Sequence, residues 1–348
     1  AACVLAPQQL RAAVPEAQMD GVMGQSIEDE TVYKDDIPAE DTQYSLLRSA
    51  ISLLSATSTQ AVSTSYTQDF EDNSFTTDGD YTSATYYHRS DYEDYQLING
   101  IDVSWWQAKN KTTTLLDWEE IHNSGIDFAF VRVGSRDSSS GSIYEDTAAD
   151  SHIQAALEND INIGLYIFSQ ALTEKEAREE ANFVLNQIDK YDWDVTLPIV
   201  IDREKGSYNR LTAGKLSKTK ETAVCQAFAD TIVEAGYQAS VYASYSWIKS
   251  YINTDDLTDC GIWIARYNNT TTSNTKSGTA YADVPYDYDF WQYSSTSRVD
   301  GYSGNLDTNF WYKDTSIKTT GVKASTESAS GPVKLSWSKV ADDVTGYR

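Results

Sequence analysis

From residue 98 onward, apolar runs of strand length alternate with amphipathic runs of helix length, and this alternation limits the possible folds more than any other feature of the chain. Strand candidates are 99–103, FAFVRVG (128–134), INIGLYIFS (161–169), LPIVIDRE (197–204), ASVYAS (239–244), GIWIARY (261–267), DFWQYS (289–294) and LDTNFW (306–311). Between the first five lie LLDWEEIHNSG, DTAADSHIQAALEND, EKEAREEANFVLNQIDKY and KTKETAVCQAFADTIVEAG, each with apolar residues at i, i+3 and i+4, and a shorter helix, YSWIKSYI, follows the fifth strand. Strand–helix alternation predicts parallel strands, and strands that are apolar almost throughout predict burial on both faces. Eight of them suggest closure into a barrel. After the fifth helix the connectors at 268–287 and 295–305 are rich in Thr, Ser, Gly and Asn and lose the helical period. The expectation is an α/β fold, an irregular TIM-like (β/α)5(β)3 barrel over 98–314.

The flanks differ in composition. Residues 1–97 form an acidic leader rich in Ser, Thr and Tyr, with EDE at 28–30, YKDD at 33–36, DFED at 69–72 and DYEDY at 91–95. Little periodic apolar surface is available there, which predicts a disordered or loosely packed linker. Within it YSLLRSAISLLSA (44–56) has helical spacing. The opening AACVLAPQQLRAAVPEAQ reads as the trailing end of a secretory signal or as a disordered leader, with a lipoprotein-type Ala-Ala-Cys as a further alternative. At 315–348 a linker leads into V-K-L-S-W, which alternates as a half-buried strand does.

A formal net charge of −25 argues against nucleic acid or an anionic membrane surface as a partner, because both would be repelled. No apolar run reaches the roughly 18 residues of a membrane span. Three cysteines, Cys3, Cys225 and Cys260, make no disulfide framework. Free thiols are expected at Cys225 and Cys260, a mutual bond being the alternative. The three histidines, His88, His122 and His152, have no metal-ligand spacing. Neither a metal nor an organic cofactor is implied.

The chemistry concentrates in LPIVIDREKG (197–206), where an apolar strand runs into Asp202 and Glu204. Residues i and i+2 of a strand share a face, which puts these Cα atoms about 6–7 Å apart. Glycoside hydrolysis needs such a pair, one carboxyl protonated to release the leaving oxygen and one charged. Each carboxylate also raises the other's affinity for a proton. The plain alternative is a strand end whose acids face water. In an α/β barrel, however, active sites lie where the strands end, and Asp102, Asp202, Glu204 and Asp307 all fall at or near predicted strand ends. Arg132, on the second strand, needs a buried partner and is expected to pair with an acid inside the barrel.

Several motifs in order carry a resemblance. GIDVS with Trp106 and Gln107, FAFVRVG, GLYIFSQA with EAREEANF, LPIVIDRE, WIARY, WQYS (291–294) and VDGYSGNLDTN resemble, over 98 to about 314, a glycoside hydrolase family 25 lysozyme, an N-acetylmuramidase of peptidoglycan. That resemblance implies the same irregular barrel, Glu204 as general acid and Asp202 as its partner. Asp202 would then either orient the substrate's own N-acetyl group or act with water in an inverting reaction, and the spacing leaves retention and inversion open. It further implies Asp102 and Asp307 as substrate-binding acids, against a reading as capping or turn acids. Tyr166, Tyr242, Tyr267 and Trp291 are expected to offer rings and hydroxyls to sugars, with core packing the alternative for each. Peptidoglycan glycan strands are the implied partner of a monomeric enzyme. Two other readings stand beside it: an acetamido-assisted glycosidase of chitin type, and a noncatalytic wall-binding barrel. The V-x-L-S-W and G-Y-R elements of the tail resemble the opening strands of a fibronectin type III domain. Only about a third of one is present, so it is expected to be loosely attached and to continue beyond Arg348. Such a module points to a secreted or cell-surface protein.

Overall fold

A computed structural model describes residues 66–69, 83–89, 92, 95–204, 210–267, 269–272, 275–278, 284–314, 323–326 and 333–336. The readings placed on 1–65, including the signal remnant and the 44–56 helix, lie outside these residues. In chain order the strands are β1 (Tyr66–Asp69), β2 (Ser83–His88), β3 (Gln96–Val103), β4 (Ala108–Lys109), β5 (Thr113–Thr114), β6 (Phe128–Arg136), β7 (Ile143–Glu145), β8 (Asn162–Phe168) and β9 (Ile199–Asp202), continuing with β10 (Ala239–Ser244), β11 (Cys260–Ala265), β12 (Asn269–Thr272), β13 (Thr275–Gly278), β14 (Phe290–Ser297), β15 (Leu306–Lys313), β16 (Lys323–Thr326) and β17 (Val333–Ser336). The helices are α1 (Trp118–Asn123), α2 (Ala149–Leu157), α3 (Glu174–Tyr191), α4 (Arg210–Gly214), α5 (Lys218–Glu234) and α6 (Tyr245–Tyr251).

The main sheet runs β3-β15-β14-β11-β10-β9-β8-β6-β7, and a β3–β6 pairing closes it. The fold is therefore mixed α/β with a closed, barrel-like sheet of eight strands, as the alternation predicts. β15 runs antiparallel to β14, because only residues 298–305 join them and a parallel neighbour needs a crossover of a dozen residues or more. Backbone contacts divide the chain into two units, one holding Asp102–Leu116 and Ala129–Gly261, the other Asp117–Phe128, the described residues up to Ile101 and those from Ile262 on.

In the first unit, β8, β9 and β10 are parallel, with Asp202 in register with Phe168 on one side and Tyr242 on the other. All four residues of β9 are buried, as expected of a strand covered on both faces. The helices start where their sequences provide caps. Thr173 accepts a hydrogen bond from the Glu176 N–H at the head of α3, and Ser217 from the Lys220 N–H at the head of α5. Ala177, Ala181, Val184 and Ile188 form the buried stripe of α3. Gly164 lets β8 approach β6, since a Cβ there would lie 2.3 Å from the Phe130 ring. Two small pieces went unread in the sequence, the β4–β5 hairpin and β7, which pairs antiparallel with the end of β6. Cys225 and Cys260 are both free thiols, the first buried and the second half-buried.

In the second unit, the leader supplies structure where its composition predicts linker. β1 and β2 pair antiparallel, and β2 pairs parallel with β13, which in turn pairs with β12 from the connector expected to be a plain loop. Backbone pairing needs no apolar periodicity, so neither strand was legible. The segment is also held by aromatic packing: His88 is buried against Trp291, Phe310 and Tyr312 and bonds the Tyr312 hydroxyl at 2.7 Å, and the Tyr92 hydroxyl donates to the Tyr288 carbonyl at 2.8 Å. Val333–Ser336 forms a strand paired antiparallel with β16. Among the described residues no helix is long and apolar enough to cross a membrane.

Candidate active site

The first unit brings Asp102, Asp202 and Glu204 together with Arg132, Asp146 and Tyr166. Asp202 ends β9 and Asp102 lies near the end of β3, both buried, while Glu204, two residues beyond Asp202, is 8% exposed. Past the last residue of β9 the ladder continues, with the Ser169 N–H donating to the Asp202 carbonyl at 3.0 Å and the Arg203 N–H to the Tyr242 carbonyl at 2.8 Å. Those bonds carry extended pairing past Asp202 as far as Arg203.

Asp202 is the anomaly of the molecule. Both of its side-chain oxygens are buried, and neither has a hydrogen-bond partner among the described residues. A buried polar group left unsatisfied costs on the order of 1–3 kcal/mol, and such orphans call for an explanation in function. Its carboxyl is pushed well above the ordinary aspartate range, first by burial and then by the charge of Glu204, with Asp102 adding to the effect and Arg132 and Arg203 opposing it. Burial and the charge of Glu204 thus both favour the protonated form of Asp202.

Arg132 is fully buried and pairs as expected with an acid, the partner being Asp146 at 2.9 Å. Asp146 in turn accepts from the backbone N–H groups of Trp105 and Ala148. The Tyr166 phenol lies in the field of Arg132, Asp102 and Asp202, and burial holds it protonated well above its usual range. Tyr166 and Tyr242 expose essentially no ring face, so the sugar stacking expected of them is replaced by core packing. Buried as it is, Tyr166 keeps its phenol in the electrostatic neighbourhood of the acids.

Of the remaining predicted residues, Tyr267, Trp291 and Asp307 belong to the second unit. Trp291 is also core, its indole N–H donating to the Arg266 carbonyl. Tyr267 is half-buried and its hydroxyl donates to the Gln292 side chain, and Asp307 on β15 is half-buried.

Sequence reasoning missed Arg203. Alternation turns it to the face opposite Asp202 and Glu204, where it is completely buried. Its guanidinium meets Glu221 of α5 in a two-pronged pair, Nε–Oε1 2.7 Å and Nη2–Oε2 2.8 Å, and also donates to the Ser169 hydroxyl and the Ala171 carbonyl. Ser169 donates to Glu180 of α3, which pairs with Arg136 at 2.6 Å. A charged residue inside an otherwise apolar strand was the available signal, but its partners lie on helices far along the chain. Among the described residues no group of three or more His, Cys, Asp or Glu side chains is disposed to hold a metal ion.

A buried pair of carboxyls at strand ends of a closed α/β barrel is an arrangement compatible with acid-assisted glycoside hydrolysis. The comparisons give the family: the model for glycosyl hydrolases family 25 matches residues 101–302, and the chain belongs to that family. Lysozyme M1 of Streptomyces globisporus is 24% identical over 217 residues, 61% of this chain and 67% of that protein. The autolytic lysozyme of Clostridium acetobutylicum is 22% identical over 210 residues, 60% of this chain and 54% of that one. Among solved structures, the modular autolysin LytC of Streptococcus pneumoniae in complex with a synthetic peptidoglycan ligand superposes with a TM-score of 0.50 at 23% identity, covering 62% of this chain and 47% of LytC, and so shares the fold. The chain thus spans only about half the length of two of these relatives.

Proposed function

We propose that this chain is an endo-acting muramidase that cleaves the β-1,4 bond between N-acetylmuramic acid and N-acetylglucosamine in peptidoglycan. The observation that carries the reading is the buried Asp202 carboxyl, unpartnered among the described residues and raised first by burial and then by its neighbour Glu204. Glu204, the more accessible of the two, donates the proton to the glycosidic oxygen as the bond to the anomeric carbon breaks. Asp202 offers its free oxygens to the substrate's acetamido N–H, holding the acetamido oxygen against the anomeric carbon, a geometry suited to assistance by the substrate itself. Asp102 shapes the charge around the pair. Asp307 and Tyr267 are assigned to sugar hydroxyls. The catalytic region spans 98–314, and the enzyme acts as a monomer outside the cell or at its surface.

Digestion of purified peptidoglycan by wild type and Glu204→Gln tests this, with borohydride reduction and mass spectrometry of the new reducing ends. Muramic acid ends made by the wild type and lost in the folded variant support the assignment. Ends from chitin oligomers alone would favour the acetamido-assisted chitinase reading, and binding without any cleavage would leave a noncatalytic barrel.

A further inference from the structure

The β4–β5 hairpin holds a cation at the edge of this site, and nothing in the mechanism above uses it. Asn110 and Lys111 both adopt left-handed backbone, φ 54° and 61°, which turns the chain sharply between Ala108–Lys109 and Thr113–Thr114. The turn is tied down, since Thr147 donates its hydroxyl to the Lys111 carbonyl at 2.5 Å and the Thr114 N–H donates to Ser151. The Lys111 ammonium consequently sits over two indoles at once, 4.8 Å from the Trp105 ring centre and 5.3 Å from that of Trp106. Trp105 also carries the Arg132 guanidinium at 4.7 Å, and Arg132 is one of the two cations that oppose the raised Asp202 carboxyl. Lys111 and the catalytic pair are therefore joined through one ring. Trp106, by contrast, is 38% exposed, one of two large apolar side chains left open among the described residues. The Ser104–Gln107 capping box holds the backbone of the short turn that carries it.

An open indole beside a fixed ammonium has one natural ligand: a sugar ring for the indole face and an anionic group for the ammonium. In a chain of net charge −25 a cation placed there has a specific use, because a carboxylate approaching Asp102, Asp202 and Glu204 meets their repulsion while the nearby Arg132 is already paired with Asp146. We propose that Trp106 and Lys111 form a subsite for a carboxylate-bearing sugar of the glycan strand, so that the enzyme favours acidic glycans over neutral ones. The inference rests on the muramidase reading and deepens it. The carboxylate belongs either to the lactyl ether of muramic acid or to the attached peptide, and the two sources are separable.

The test measures kcat and KM for wild type, Lys111→Met and Lys111→Arg on three substrates: intact peptidoglycan, glycan strands stripped of peptide, and stripped strands whose carboxylates are blocked as methyl amides. An exposed ion pair is worth up to about 1 kcal/mol, so Lys111→Met should raise KM about three- to fivefold on carboxylate-bearing strands, leave kcat and the melting temperature unchanged, and have no effect on blocked strands. Lys111→Arg should restore KM, and added salt should raise the wild-type KM while leaving that of Lys111→Met flat. A response on stripped strands identifies the lactyl carboxylate, and one on intact wall alone the peptide. Equal KM values for wild type and Lys111→Met, or a rise that is the same on blocked strands, overturns the subsite. If the wild type cleaves none of the three, the muramidase reading fails instead. Calorimetric binding of stripped and blocked strands to Glu204→Gln, with and without Lys111→Met, then still decides whether Lys111 recognises the carboxylate.

Discussion

Replacing Glu221 by Gln should cost this protein more than any surface change, although Glu221 is not one of the acids assigned to the site. Its carboxylate is 1% exposed and accepts three hydrogen bonds, two from Arg203 at 2.7 and 2.8 Å and one from the Trp247 indole at 3.2 Å. The amide keeps the shape and removes the charge, leaving the fully buried Arg203 guanidinium with the Ser169 hydroxyl and the Ala171 carbonyl as its neutral acceptors. Removing one partner of a buried pair costs about 3–5 kcal/mol. For a folded unit of this size that corresponds to a fall in Tm of about 6–20 °C. Arg203 lies between Asp202 and Glu204 in the chain, so activity at a temperature where the variant is folded should also fall. Thermal unfolding followed by circular dichroism gives the first number, and reducing-end release on peptidoglycan the second. The double variant Arg203→Met, Glu221→Leu should recover most of the lost stability, because neither charge is then buried alone. A Tm within 2 °C of wild type for Glu221→Gln, within the error of that scale, would refute the reasoning, as would a double variant less stable than the single.

Two further substitutions test the remaining links. Asp202→Asn should abolish most activity, by about 10²-fold or more, yet unfold at higher temperature than wild type at neutral and alkaline pH. Burial and Glu204 raise Asp202 in the folded state, so its contribution to stability is complete below its unfolded value of about 3.9 and is lost as pH rises through the folded value. The gap in Tm should close towards pH ~4, and scanning fluorimetry across pH would sink the argument if the gap were constant or reversed. Gly164→Ala drives a methyl group against Phe130 in the first unit and should cost about 1–3 kcal/mol, measured by urea unfolding. An unchanged midpoint would mean that β6 and β8 can part without loss.

The elements carrying Asp202 and Glu204 were legible because burial writes itself into sequence locally. FAFVRVG and LPIVID are apolar on both faces, and a strand with that pattern has to be covered on both sides. The helix EKEAREEANFVLNQIDKY announces its start with Thr173 and its inward face with Ala177, Ala181, Val184 and Ile188. D-x-E at a strand end then places two carboxylates on one side by alternation alone. The leader strands gave no such signal, since β2 gains its place by backbone pairing with β13, and main-chain hydrogen bonds are indifferent to side-chain pattern. The aromatics misled for a related reason: a tyrosine at a strand end has the same letter whether its ring faces a sugar or, as with Tyr242, the core.

By itself the sequence determined the alternation that makes a barrel, the strand on which the acids ride and the strongly negative net charge. Only the tertiary structure decided that Asp202 is buried with its oxygens unpartnered among the described residues, that Arg203 finds Glu221 on α5 and Arg132 finds Asp146, and that a three-residue turn sets Lys111 over Trp105 and Trp106. Periodicity is a property of neighbours along the chain, which a sequence contains. Desolvation and charge pairing depend on groups brought together across tens of residues, and only folding fixes which ones meet.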